Sequence, residues 1–227
     1  MFLTKLMLNL RSSAVRRDLN DVNDMHRTLM SAYPELAPDN AFRQTHGILW
    51  RIDNHSAGLI QYVQSKTQPD WSRLTPDYLV RPAEVRTLHP VLESVQPGGK
   101  YTFRLVGNPT RCVHDESKPS SRRHVPLESE RHLDWLISKG VQHGFVIPAA
   151  SGGQPDVARN NLPRLIGKRG KTTKVTITPV RFDGHLIVTD PETFKAAITT
   201  GIGRGKPYGC GLLTLARPQN RQTQQQS

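Results

Sequence analysis

Residues 96–109 read QPGGKYTFRLVGNP, and this stretch decides how the chain divides. Pro97 lacks a backbone donor, and Gly98 and Gly99 hold no regular conformation, so the segment punctuates whatever precedes it. KYTFRLVGNP then reads as a strand. Upstream, FLTKLMLNL (residues 2–10) has strand length and alternates loosely, and the polar stretch RSSAVRRDLND follows. VNDMHRTLMSAY carries Val22, Met25, Leu29 and Met30 near helical spacing and is ended by Pro34. Residues 42–53 and 58–66 read as strands around the turn NHSAG, with a short helix near Asp70–Leu74. Residues 85–95 read as another strand, in which Pro90 demands an edge or a bulge.

Downstream of QPGG the order begins again. DESKPSSRR is a polar loop, and ESERHLDWLISKG is a helix with Gly140 as its cap. Residues 149–161 are small and polar, as in a mobile loop. KVTITPVRF and HLIVTD are strands joined at Asp183-Gly184. PETFKAAITT is a helix with Asp190 as N-cap, Pro191 at its first position and Gly201 at its end. LLTLA is a last strand, and RPQNRQTQQQS a disordered tail. The order β-α-β-β-(α)-β therefore occurs twice, which is the ferredoxin-like pattern. The expected fold class is α+β, with tandem ferredoxin-like domains over residues 1–96 and 97–216 and a tail over 217–227. The alternative is one mixed α+β domain.

The chain of 227 residues carries a net charge of +12, which favours an anionic partner and above all nucleic acid. Its two cysteines, Cys112 and Cys210, form no CxxC or zinc-type spacing and suit a reducing compartment. The apolar N-terminus is too short for a signal peptide, and no window approaches the roughly 18 apolar residues of a membrane span. A cytoplasmic protein with no membrane association is expected.

Three features carry chemistry. GIGRGKPYGCGLL (residues 201–213) holds Gly201, Gly203, Gly205, Gly209 and Gly211 with Arg204, Lys206 and Tyr208 between them. It fits neither a P-loop nor a dinucleotide fingerprint. Such a segment bares backbone N–H groups to a phosphate chain or to a closely packed helix, and a tight turn needing only positive φ is the plainer reading. The second feature is a basic β-hairpin tip, Lys168, Arg169 and Lys171, with Arg164 and Lys174 on its arms. A two-stranded ribbon of this charge suits a nucleic-acid groove, unless it is simply a solvated tip. Arg122 and Arg123, with Lys118, form a weaker patch. The third is His26 on the first long helix, beside Asn23 and Arg27; a lone histidine is more often structural than catalytic. No metal-ligand set such as HExxH is present, and no paired carboxylates stand near the basic clusters.

GIGRGKPYGCGLLTL resembles the glycine-rich signature of the RAMP superfamily of CRISPR proteins. YTFRLVGNPTR, RRHVPL and HLDWLISKG, with MFLTKLMLNL and RRDLNDVNDMHRTLMSAYP at the start, resemble the CasE (Cse3) subfamily over residues 1 to about 216. The resemblance implies two tandem ferredoxin-like domains and metal-independent cleavage of CRISPR repeat RNA at the base of a stem-loop, with no cofactor. It implies that His26 in DMHRTL is catalytic, with Asn23 and Arg27 beside it. Relatives can carry a tyrosine at the position of Asn23; asparagine cannot ionise but hydrogen-bonds a hydroxyl or phosphate oxygen. The partners implied are the repeat stem-loop and the other subunits of the Cascade complex, the free protein being a monomer. The RNA-binding set is then Arg122, Arg123, Arg164, Lys168, Arg169, Lys171, Lys174, Gly201, Gly203, Arg204, Lys206, Tyr208, Gly209 and Gly211. A non-catalytic RNA-binding subunit and a basic ribosomal or DNA-binding protein are the rival readings.

Overall fold

The computed structural model describes residues 1–34, 45–114, 122–169 and 173–216. Lys118, Lys171 and the tail expected over 217–227 lie outside the described residues. The first half runs β1 (Phe2–Met7), α1 (Ser13–Asn20), α2 (Val22–Met30), β2 (Leu49–His55), β3 (Gly58–Ser65) and β4 (Glu84–Thr87). Its strands form one antiparallel sheet in the order β2-β3-β1-β4. The second half runs α3 (His89–Glu93), β5 (Lys100–Gly107), β6 (Thr110–His114), β7 (Arg122–Pro126), α4 (His132–Gln142), β8 (Phe145–Val146) and β9 (Val157–Asn161). It continues with β10 (Leu165–Arg169), β11 (Thr173–Ile177), β12 (Val180–Val188), α5 (Pro191–Thr200) and β13 (Leu213–Ala216). Its main sheet has the order β13-β5-β12-β8, with β9 on β12 beside β8. Both sheets thus have the strand order 4-1-3-2 of a ferredoxin-like unit, and the α+β class with two such units is the observed fold. The ribbons β6–β7 and β10–β11 are insertions, each pairing strand to strand.

Local chemistry explains most elements. Asp190 caps α5 by accepting from the N–H groups of Glu192 and Thr193, Pro191 occupies the first turn, and Gly201 ends it at φ 78°. The turn at QPGG docks on β12, with Gly98 N–H donating to Val188 O at 2.8 Å. Each sheet has its own core. In the first, Leu6, Met25, Leu29 and Tyr78 pack together; in the second, Phe103, Leu105, Phe145, Phe182 and Phe194 do so.

Several local expectations fail for identifiable reasons. The polar stretch at 13–20 is helix α1, and its buried face includes a carboxylate, Asp18. That carboxylate accepts from Tyr78 OH at 2.8 Å and from Arg17 Nη2 at 2.7 Å. Residues 85–95 are not one strand: β4 ends at Thr87 and Pro90 opens α3, where its missing donor costs nothing. Residues 42–44 lie outside the described residues, and β2 begins only at Leu49. Gly140 lies inside α4 and not at its end, because a Cβ there would stand 2.7 Å from the Phe145 carbonyl oxygen. Residues 157–161 form β9 within the expected loop. Asp183 and Gly184 continue β12 and do not turn it; a side chain at Gly184 would meet the Asp156 carbonyl oxygen at 2.3 Å and Cα of Val157, the first residue of β9, at 2.7 Å. Among the described residues, no helix is long and apolar enough to cross a membrane.

The two sheets meet through a buried charge ladder. Asp53 on β2 accepts from Arg51 Nε at 3.0 Å and from Arg104 Nη1, on β5, at 3.1 Å. Arg104 also bonds Asp183, which pairs with Arg181 at 2.8 Å. Burial pulls Arg104 down, but its bonds to Asp183 and Asp53 raise it overall. Burial lowers Arg51 below the ordinary guanidinium value, and Asp53 opposes that. Gln64 Nε2 adds a bond to Ile198 O at 2.7 Å across the same junction. Removing one partner of a buried pair strands the other charge. Asp53→Ala is therefore expected to lower stability by about 3–5 kcal/mol in urea unfolding, whereas Glu192→Ala, at the exposed Glu192–Lys195 pair, changes it by less than about 1 kcal/mol.

Candidate active site

Helix α2 is fixed on both sides. Asp21 caps it, accepting from Asn23 N–H at 2.9 Å, and Val22, Met25 and Leu29 turn into the first core. On the outer side Arg17 ties α1 to α2: its guanidinium holds Asp18 at 2.7 Å and reaches Thr28 Oγ1 at 3.3 Å. His26 is half-buried at the edge of the apolar face. It lies one turn beyond Val22 and Asn23 and so shares their side of the helix. Arg27 is exposed and bonds Asp24, so its charge is partly compensated.

Two of the expected RNA-binding segments converge on this helix. The first is the hairpin β10–β11, whose register sets position 168 opposite 174 and 169 opposite 173. Two lysine positions are thus paired in the register of the ribbon. The ribbon rests on α2 at Gly167. The φ of this glycine is not in the left-handed region, so its backbone does not require glycine; the space does. A Cβ at Gly167 would stand 2.8 Å from both Asn23 Nδ2 and Val22 Cγ1. Asn23 lies under the ribbon at Gly167, and its Nδ2 is enclosed without a hydrogen-bond partner.

The second is the glycine segment. Gly201, Gly203, Gly205, Gly209 and Gly211 all have φ between 78° and 91°, a region closed to most side chains. The segment therefore loops back, and its 3-10 turn Lys206–Tyr208 packs on α2 and β2. Trp50 Nε1 donates to Pro207 O at 3.1 Å, and Gly211 N–H donates to Val106 O at 2.7 Å. The space beside these glycines is taken by protein: added Cβ atoms at 201, 203 and 209 would meet Leu49, Trp135 and Trp50 at 2.7–3.0 Å. The dense glycine serves tight seating between the two sheets. Arg204 points to solvent, whereas Lys206 is half-buried. The pKa of His143 at the end of α4 is lowered by burial and by the charges of Lys139 and Lys206.

The remaining expected residues are placed as follows. Arg164 is exposed just before β10. Lys168, Arg169 and Lys174 lie on the hairpin strands. Arg122 and Arg123 are exposed on β7 of the separate ribbon, whose base is closed by Leu127 N–H donating to Pro109 O at 3.0 Å. Sequence reading missed Gly167, Arg17, Arg51 and Trp50. Only Gly167 left a signal there, a glycine inside an otherwise strand-like run.

A sequence model of the CRISPR-associated protein family matches residues 1–217. The chain is 33% identical over 225 residues to the CRISPR-associated endoribonuclease Cse3 of Thermus thermophilus, covering 95% of this chain and 100% of that one. It is 31% identical over 129 residues to the Cascade subunit CasE of Escherichia coli K12, covering 54% of this chain and 60% of that one. The solved structure of Cse3 bound to a 19-nucleotide RNA superposes with a TM-score of 0.76 at 31% identity, covering 95% of this chain and all of that one.

The seat at Gly167 is tested by overpacking. Gly167→Ala is expected to cost about 1–3 kcal/mol in urea unfolding. Gly152→Ala, where an added Cβ meets nothing within 4 Å, is expected to change stability by less than about 0.5 kcal/mol.

Proposed function

The chain belongs to the Cse3 (CasE) family of CRISPR-associated proteins, and we propose that it is the endoribonuclease that cuts CRISPR precursor RNA once in each repeat, at the base of a stem-loop. The observation that carries this reading is the setting of His26. It stands on a helix clamped between a basic ribbon and a glycine-rich turn, in a chain that aligns over nearly its whole length with a named endoribonuclease. Residues 1–96 and 97–216 act as two domains, the first bearing the histidine and the second the ribbon and the glycine segment.

The RNA supplies its own nucleophile. The 2′-hydroxyl beside the scissile phosphate attacks in line, so the enzyme's work is to hold that geometry. His26 takes the 2′-OH proton or protonates the departing 5′-oxygen, as a positioned imidazole can. The products are a 2′,3′-cyclic phosphate or 3′-phosphate and a 5′-hydroxyl. No metal is required, because Arg27, Arg204 and Lys206 are at hand to offset charge developing on the phosphate. The arms of the hairpin, Arg164 to Lys174, hold the stem, and the glycine segment supports the strand near the cut. Asn23, under the ribbon, shapes the site and leaves the proton transfer to His26. The protein acts in the cytoplasm, keeps its product and carries it into the Cascade complex.

The test is cleavage of the host's repeat RNA in EDTA. Wild type is expected to make one cut. His26→Ala is expected to lose about 10²–10⁴-fold in rate while binding the repeat as tightly. If neither protein cuts and both bind, the chain is a binding subunit and not a nuclease.

A further inference from the structure

At the foot of the β6–β7 ribbon lies a concavity of about 450 Å³ that neither His26 nor the basic hairpin uses. Arg111 on β6, Arg131 just before α4 and Lys139 on α4 all line it. Among the described residues, Asp134 is the one carboxylate on its wall. Arg111 and Arg131 are exposed and, among the described residues, join no ion pair. Lys139 Nζ donates to the neutral amide of Gln142 at 2.7 Å. Like charges gathered in one hollow repel, and an anion seated among them removes that repulsion. Trp135 supplies an aromatic wall. Its indole is half-buried and stacks on Phe182, with ring centroids 6.0 Å apart and planes at 19°. Gly203 presses on the edge of the same ring, where an added Cβ would stand 3.0 Å from Cζ2.

The glycine segment joins this hollow to the site at His26. Gly203 touches Trp135, and the turn that begins at Lys206 packs on α2. The chain between those two contacts spans at most about 10 Å, and Arg204, within it, is exposed. His143 feels the charges of both Lys139 and Lys206, which with burial lower its pKa. A line of cations therefore starts beside the helix of His26 and ends at the foot of the β6–β7 ribbon. A free phosphate would occupy one step of it, whereas a chain of phosphates meets all of it. Acidic side chains would also satisfy the cations, but they have no use for an aromatic wall or for continuity with Lys206. We propose that this line binds the single strand of RNA adjoining the stem, with phosphates on Lys139, Arg131 and Arg111 and a base against Trp135. Single strands are held in this way, by a cationic groove and an aromatic ring. The proposal rests on the RNA-binding reading above and adds a region of recognition outside the stem. A strand held at both ends of the glycine segment has less freedom at the cut, which favours the in-line geometry that the 2′-hydroxyl needs.

The test uses the host's repeat stem-loop with a 2′-deoxy sugar at the cut, so that it binds without reacting. It is extended by about eight unpaired nucleotides on one side or the other, within the size of such sites. The Kd is measured by fluorescence anisotropy at several salt concentrations. On one side the extension is expected to tighten wild-type binding about tenfold and to steepen the dependence of log Kd on log salt by about 2, as for three phosphate contacts on a single strand. In the triple variant Arg111→Gln, Arg131→Gln, Lys139→Gln the extension is expected to gain less than about twofold and to leave the salt slope unchanged, while the unextended stem-loop binds as in wild type. Arg111→Glu alone, at an exposed strand position, is expected to cut the gain to about threefold and carries the test if the triple variant does not fold. If neither extension improves wild-type binding, or if the gain survives in these variants, the proposal is overturned. If wild type binds the unextended stem-loop no better than a scrambled RNA of equal length, the RNA reading of the site at His26 falls as well.

Discussion

Asp53 is a carboxylate with almost no access to water that receives one guanidinium from each sheet. A buried charge on this scale is tolerated only when its partners are fixed in place. Arg51 comes from the same strand, and Arg104 crosses from the second sheet. The pair therefore sets how the two ferredoxin-like units face each other. The other features of the junction follow from that orientation. The glycine segment finds Trp50 and Leu49 waiting for it, and the 206–208 turn reaches α2.

The glycine segment illustrates how a composition signal and its cause can differ. Five glycines with two cations suggest a surface cleared for a phosphate chain. The backbone instead needs all five positive φ values to turn back on itself, and bulky side chains already occupy three of the spaces. It brings Lys206 and Tyr208 next to the helix carrying His26.

Legibility in the sequence followed the locality of the determinants. Helix α5 was readable residue by residue, since Asp190, Pro191 and Gly201 each act within one turn of the chain. Helix α2 was readable from its apolar spacing and from Pro34, and the basic hairpin from a cluster of cations between two apolar runs. Helix α1 was not, because one of its inward positions is Asp18, whose burial is made possible by Tyr78 far along the chain. The unbroken β12 was equally hidden, since Gly184 looks like a turn until β9 is known to press against it. His26 was visible only through family resemblance. Arg51 and Asp53 look like ordinary polar alternation on a strand, and nothing local tells that the second sheet covers them.

The seat of the basic ribbon has a consequence for how such a protein diversifies. Among the described residues, β10 and β11 pair only with each other, and their inner side meets α2 through the bare backbone at Gly167. The ribbon's attitude is thus set by the helix and by the small cluster in which Val175 and Ile177 meet Val106 and Cys210. Its outer positions are free to vary, provided one residue without a Cβ is kept. A foreign ribbon grafted onto this frame would keep its seat on the helix while presenting a different outer face.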